Sequence, residues 1–304
     1  MKNTIMLLIF LVMGCSCARV GRVGLTIDDT KNSSGVVYVS DSRKEIGEIE
    51  DPQILTNAKS NVALIDVKYI QEDGNSVVFA GDPLTTQFNL CADQRFAQQQ
   101  SIANCTGVLI SPRHVLTAGH CLTEETCDQY KIAFDFRHDT QHYSPEAEVY
   151  RIPRSQLYSC KKIVAHDSQA SWAMPDYTIV ELDRPVPGRE PAKLEADSLK
   201  ESDPLYTLGY PLGAALKYAH GRVRKDMNPL TYKAAIDTFA GNSGSPVYNE
   251  KTHALIGLLS GGETDLNYNP EYGCNMINVC DAKKCLGERI FKTSYIADII
   301  KKFQ

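Results

Sequence analysis

An all-β fold, either a sandwich or a pair of barrels, is what this 304-residue sequence predicts. Three observations carry that expectation: short β-type runs recur from residue 36 onward, Gly, Pro and Asn separate them, and helical periodicity is sparse. The runs are residues 36–39 (VVYV), 61–65 (NVALI), 76–79 (SVVF), 108–110 (VLI), 131–134 (KIAF), 177–180 (YTIV), 205–208 (LYTL) and 254–259 (ALIGLL). Only the tail, residues 295–303 (YIADIIKKF), spaces its apolar side chains as a helix does, so it is expected to pack as a C-terminal helix. No internal sequence repeat is visible.

The chain is 43% hydrophobic and 23% charged, the balance of an ordinary soluble globular protein. A net charge of -5 gives no reason to expect nucleic acid or an anionic membrane surface as partner. The first residues read differently. Lys2 precedes an apolar run, residues 5–13 (IMLLIFLVM), that is too short to span a bilayer. Small residues follow at 14–18 (GCSCA), completing the form of an export signal. Two processing routes stay open. Signal peptidase I could cut after Ala18, making residues 1–18 the signal peptide. Alternatively, residues 12–15 (VMGC) resemble a bacterial lipobox, so that residues 1–14 are removed and Cys15 carries a lipid anchor. The product is secreted, periplasmic or held at the outer membrane as a lipoprotein, and no other stretch is apolar enough for a membrane span. Residues 19–35 are polar and read as a linker or pro-segment, which leaves residues 36–304 as the folded domain.

Export changes the meaning of the cysteines. Beyond Cys15 and Cys17 there are eight: Cys91, Cys105, Cys121, Cys127, Cys160, Cys274, Cys280 and Cys285. An even number in an exported chain reads as disulfides, and the spacings lack the paired ligands of a zinc site. No metal or other cofactor is expected. Cys274, Cys280 and Cys285 are expected to staple the loop before the C-terminal helix, with connectivity open.

Three motifs carry chemistry. Ser243 sits in residues 241–246 (GNSGSP), where Gly241 lets the backbone bend so that its N–H and that of Ser243 converge on one oxyanion hole. His120 ends residues 116–121 (LTAGHC), after residues 105–111 (CTGVLIS); a base there would face the serine across a cleft. Cys105 and Cys121 can clamp the loop carrying this histidine if the two strand ends are adjacent. Asp176 leads into residues 177–182 (YTIVEL), so its carboxylate can hold one imidazole nitrogen and stabilise the imidazolium. Asp167 is the rival carboxylate, but polar residues follow it.

The order and wording of these motifs resemble the trypsin/chymotrypsin-like serine peptidases, and within them the bacterial branch that includes the glutamyl endopeptidases. Asn242, Ser245-Pro246 and residues 209–211 (GYP) carry the closer likeness, and residues 36–46 (VVYVSDSRKEI) resemble the mature N-terminus of that branch. The resemblance implies a chymotrypsin-like fold: two six-stranded antiparallel barrels with a C-terminal helix. It implies a monomeric serine endopeptidase acting on protein or peptide substrates. It also implies that Asn242, being uncharged, removes the activation switch in which a freed ammonium pairs with an acid beside the nucleophile.

Substrate selection stays open. Leu259 stands where glutamyl endopeptidases place a histidine that binds a substrate carboxylate, and an apolar side chain cannot do so. Asp237 falls at the base of the pocket in trypsin-like relatives, where an acid favours Arg or Lys, although bacterial relatives carry Asp there without that preference. Thr238 would line the same pocket, while Ser260 and Gly262 match positions that pair with the substrate backbone. Trp172, the six remaining histidines, Lys161-Lys162 and Lys283-Lys284 read as structural or surface residues.

Two other function classes compete: a catalytically inactive peptidase-fold binding protein, which an intact triad disfavours, and an esterase, for which no lipid pocket is evident. Processing between Gly35 and Val36 would match the branch's mature start. N-terminal sequencing of the exported protein is expected to read VVYVSD; a start at residue 19 or Cys15 would show that residues 19–35 remain attached.

Overall fold

The computed structural model describes residues 37–38, 40–168, 175–195, 199–280 and 285–304, apart from the side chains at 226 and 227. The export signal, Cys15, the linker, Val36, Trp172 and Lys283-Lys284 lie outside the described residues.

Two sets of six strands account for the architecture. The first comprises β1 (Asn61–Asp66), β2 (Ala103–Ser111), β3 (His114–Thr117), β4 (Tyr130–Ala133), β5 (Leu157–Ser168) and β6 (Asp176–Leu182). They close into an antiparallel ring in the order β1-β2-β3-β6-β5-β4. The second comprises β7 (Pro204–Gly209), β8 (Lys217–Asn228), β9 (Thr231–Ile236), β10 (Pro246–Asn249), β11 (Leu255–Gly261) and β12 (Glu288–Lys292). These close as β7-β8-β9-β12-β11-β10, the same path taken again without any visible sequence repeat. The expected pair of six-stranded barrels is therefore present.

Period-two alternation explains why these strands are apolar on both faces. In β1, Val62 and Leu64 belong to the core of the first barrel, while Ala63 and Ile65 join the cluster between the barrels. The second barrel follows the same rule: Leu205, Val247 and Ile290 fill its core, whereas Tyr206, Tyr248 and Phe291 turn outward into the shared cluster. Tyr177 of β6 stacks on Phe291 of β12 with ring centroids 5.8 Å apart, joining the barrels one residue from Asp176. Phe136, fully buried, stacks on Tyr210 and meets Phe79 and Tyr150 edge-on.

Several elements depart from the sequence expectation. The run at 76–79 lies outside the barrels, in a four-stranded sheet with Ile70–Asp73, Val149–Pro153 and Tyr143–Ser144. A helix at Pro52–Ser60 was not legible from apolar period; its signal is the cap, where the Asp51 side chain accepts from the N–H groups of Gln53 and Ile54 and Pro52 takes the first turn. The C-terminal helix is shorter than its apolar pattern. A 3-10 turn at Thr293–Ile296 leads into Ala297–Ile300, and Ile296 and Ile300 are fully buried.

All eight expected cysteines pair, as Cys91–Cys274, Cys105–Cys121, Cys127–Cys160 and Cys280–Cys285. Cys280 and Cys285 staple the late loop, while Cys274 reaches back across 183 residues instead. Among the described residues no helix is long and apolar enough to cross a membrane.

Candidate active site

Ser243 lies between Gly241 and Gly244, both with positive φ (88° and 81°), on the turn that enters β10. A Cβ at Gly244 would collide with Thr106 O and Thr117 Oγ1 and approach Ala118 N to 2.8 Å. Only glycine lets the turn seat itself against the chain that leads to His120. Asn242 is buried, and its Oδ1 lies with Ser245 Oγ against the bare Cα of Gly209.

Thr106 of β2 fastens this turn to the first barrel. Its N–H donates to Ser243 O at 2.8 Å, its hydroxyl donates to Gly241 O at 2.8 Å, and the same hydroxyl accepts from Tyr210 N at 3.3 Å. Thr117 Oγ1 in turn donates to Thr106 O at 2.7 Å. The Gly241 and Ser243 N–H groups of this turn make no hydrogen bond among the described residues. Two unspent donors on one turn suit a developing oxyanion.

His120 occupies a short 3-10 turn, Gly119–Cys121, tied to β2 by the Cys105–Cys121 disulfide. Its Nδ1 contacts Asp176 Oδ2 at 3.0 Å and Oδ1 at 3.2 Å, and its backbone N–H donates to Oδ1 at 3.1 Å. The imidazole is about a third exposed, while the carboxylate is nearly buried. Burial acts to raise the Asp176 pKa, but the hydrogen bonds and charge of His120, with the Arg289 charge, outweigh it and hold the carboxyl below its usual range. Asp176, rather than Asp167, is thus the carboxylate at the histidine. No hydrogen bond joins the His120 ring to the Ser243 hydroxyl; such contacts are often long in free enzymes and tighten around substrate. Cys105, His120 and Cys121 also bring three ligand-type atoms within 4.8 Å, yet both sulfurs are committed to the disulfide and offer no thiolate.

A trypsin-like peptidase domain matches residues 105–258, which hold the Ser243 turn, Thr106, His120 and Asp176. The chain belongs to the trypsin-like peptidase family. It is 26% identical over 157 residues to a glutamyl endopeptidase of Bacillus licheniformis, a match covering 50% of this chain and 47% of that protein. The chain thus spans about half the length of this curated relative. Among solved structures it is similar to a Glu endopeptidase (TM-score 0.51, 14% identity, 88% of this chain and 98% of that one). It is also similar to the Vibrio cholerae VesB protease (TM-score 0.47, 16% identity, 86% and 66%). The Glu endopeptidase likeness bears on the fold alone, and that fold is the chymotrypsin-like one.

Within this peptidase domain the residues expected to select substrate are arranged unequally. Both oxygens of Asp237 are taken up by the N-terminal segment: Tyr38 N donates at 2.6 Å, Ser42 N at 2.7 Å and Ser42 Oγ at 2.6 Å. Leu259 is fully buried, exchanging main-chain bonds with Gly244 and Ser245, so it braces the Ser243 turn. Ser260 O accepts from Arg289 Nη2 at 2.9 Å. Thr238 is buried and donates to Glu288 Oε2 at 2.8 Å. Gly262 lies directly over that carboxyl, where a Cβ would collide with Glu288 Oε2.

Three residues at the site escaped sequence reasoning. Thr106 was visible in the CTG run but carries no signature of a clamp. Arg289 stands with Nη2 3.6 Å from Asp176 Oδ2, and Glu288 is buried next to it in sequence. Both sit in β12, far from the motifs, with no local pattern to mark them.

Two measurements check this description. Thr106→Val keeps shape but removes the hydroxyl that satisfies Gly241 O, so it is expected to lower unfolding free energy by about 1–3 kcal/mol in urea denaturation. Burial, opposed by bonds from Thr238, Tyr38 and Glu263 N–H, pushes the Glu288 carboxyl from 4.5 up to about 8. Between those values the native state holds a proton that the unfolded chain has released. The contribution of Glu288 is therefore fully present below about 4.5 and lost as pH rises through about 8. Denaturation across this window is expected to show a shallower pH slope for Glu288→Gln than for the wild type.

Proposed function

We propose that this chain is an exported serine endopeptidase, with His120, Asp176 and Ser243 as its catalytic triad. The observation that carries the reading is the His120–Asp176 pair fixed beside a serine turn whose Gly241 and Ser243 N–H groups are unspent. His120 takes the proton from the Ser243 hydroxyl as it attacks a peptide carbonyl. Asp176 holds the ring by Nδ1, so that Nε2 faces the serine, and stabilises the imidazolium that forms. The two N–H groups hold the oxyanion of the tetrahedral intermediate. His120 then gives its proton to the leaving amine, and water repeats the sequence on the acyl-enzyme.

Export is supported by the form of the leader and by four disulfides, which persist in oxidising compartments. The similarity to a glutamyl endopeptidase supports a peptidase over an esterase.

Ser243→Ala is expected to reduce peptide hydrolysis on the order of 10⁴-fold or more while leaving the thermal unfolding transition in place. A fluorophosphonate probe should label the wild type and not this variant. Unlabelled wild type, or an unchanged hydrolysis rate in the variant, would sink the assignment in favour of a binding protein.

A further inference from the structure

The two expected oxyanion donors are aimed by different parts of the chain. Ser243 N–H belongs to the 242–243 peptide, whose carbonyl, Asn242 O, accepts from Ser245 N at 2.8 Å within the turn itself. Gly241 N–H belongs to the 240–241 peptide, whose carbonyl is held from outside the turn. There, Ala240 O accepts from Leu212 N at 2.6 Å. Carbonyl and N–H point opposite ways across a trans peptide, so this bond directs Gly241 N–H away from Leu212. A half-turn of the same peptide would put Ala240 O where that donor now stands.

Leu212 has an unusual backbone for its side chain. It sits in the left-handed region (φ 54°, ψ 23°) inside the tight turn Pro211–Gly213, a conformation that leucine rarely adopts. Burial compensates: the side chain, 2% exposed, packs in a cluster with Val37, Leu84, Leu90, Ala97 and Phe239. Ser101 Oγ donates to Leu212 O at 2.8 Å and Ile102 N to Gly213 O at 2.9 Å, tying the turn to the residues that lead into β2. Ala240 is held on its other side as well, since its N–H donates to Asp265 Oδ2 at 2.8 Å. Asn242 is uncharged and offers no ion pair to order this peptide.

We propose that Leu212 is a positioning residue for the oxyanion hole. Its left-handed backbone, kept in place by the apolar cluster, fixes Ala240 O and so aims Gly241 N–H at the charge that develops during acyl transfer. This rests on the peptidase reading above. The side chain of Leu212 acts at a distance from substrate: packing sets its backbone, and its backbone sets the donor.

Fluorophosphonate labelling kinetics test this, because the phosphonyl oxygen enters the same hole. Leu212→Ile keeps the apolar volume, but its β-branched side chain resists the left-handed region. Its maximal labelling rate, kinact, is expected to fall on the order of 10²-fold with KI little changed. Leu212→Gly takes the left-handed conformation freely but loses the packing. It should recover most of that rate while unfolding at a lower temperature than Leu212→Ile. A packing role alone predicts the reverse order of rates. The proposal is overturned if Leu212→Gly labels no faster than Leu212→Ile, or if Leu212→Ile labels at the wild-type rate. Amide hydrogen exchange of the wild type, read by NMR, needs no variant. The Leu212 amide should exchange slowly, and the Gly241 amide should gain protection only on labelling. A freely exchanging Leu212 amide, or a Gly241 amide protected before labelling, equally overturns it. Wild type that takes no label removes the peptidase reading itself, and this proposal with it.

Discussion

The site depends on one cross-barrel attachment, the set of hydrogen bonds that Thr106 makes to the turn carrying Ser243. His120 and Asp176 belong to the first barrel and Ser243 to the second, so their alignment is a problem of relative placement. Thr106 solves it with main chain and side chain together, fixing Ser243 O and Gly241 O from one buried residue. The peptides that carry those two carbonyls point the Asn242 and Gly244 N–H groups the other way, to Phe239 O and Leu259 O, while the Gly241 and Ser243 N–H groups belong to other peptides of the turn and make no such bond. Gly244 makes the close approach possible, and the Cys105–Cys121 bridge holds the histidine turn to the strand that carries Thr106.

Around that attachment the barrel interface supplies rigidity. Tyr177 stacks on Phe291, so the strands carrying Asp176 and Arg289 are packed face to face beside the proposed triad. The Arg289 guanidinium reaches both Asp176 and Ser260 O, connecting the acid of the proposed triad to the strand expected to receive substrate. A dense apolar interface is what allows such charged groups to keep fixed geometry, since water and alternative rotamers are excluded.

The N-terminal segment has a structural part to play in the second barrel. Lys44–Glu45 adds to the edge of β8, and Arg43, almost wholly buried, is paired with Asp41 and lies over the ring of Phe239 at 4.3 Å. With Asp237 held by Tyr38 and Ser42, the segment supports the stretch between Asp237 and Gly241 from below. The acid that trypsin-like relatives place at a pocket base here holds the chain's own backbone.

Much of the site was legible in the sequence because each motif carries its own local requirement. A nucleophilic serine needs glycines on either side, a clamped histidine needs its neighbouring cysteine, and an orienting aspartate leads a buried strand. Those needs are met within six or seven residues, so 241–246, 116–121 and 176–182 declared themselves. The all-β class was legible for the same reason, since alternation and turn residues are local. Tertiary structure alone decided the partners of buried polar groups. Asp237 lies 195 residues from Ser42, Thr106 lies 135 from Gly241, and Cys91 lies 183 from Cys274. No local pattern encodes pairings over such distances; they follow from how two closed barrels meet, and so does the burial of Glu288 under Gly262.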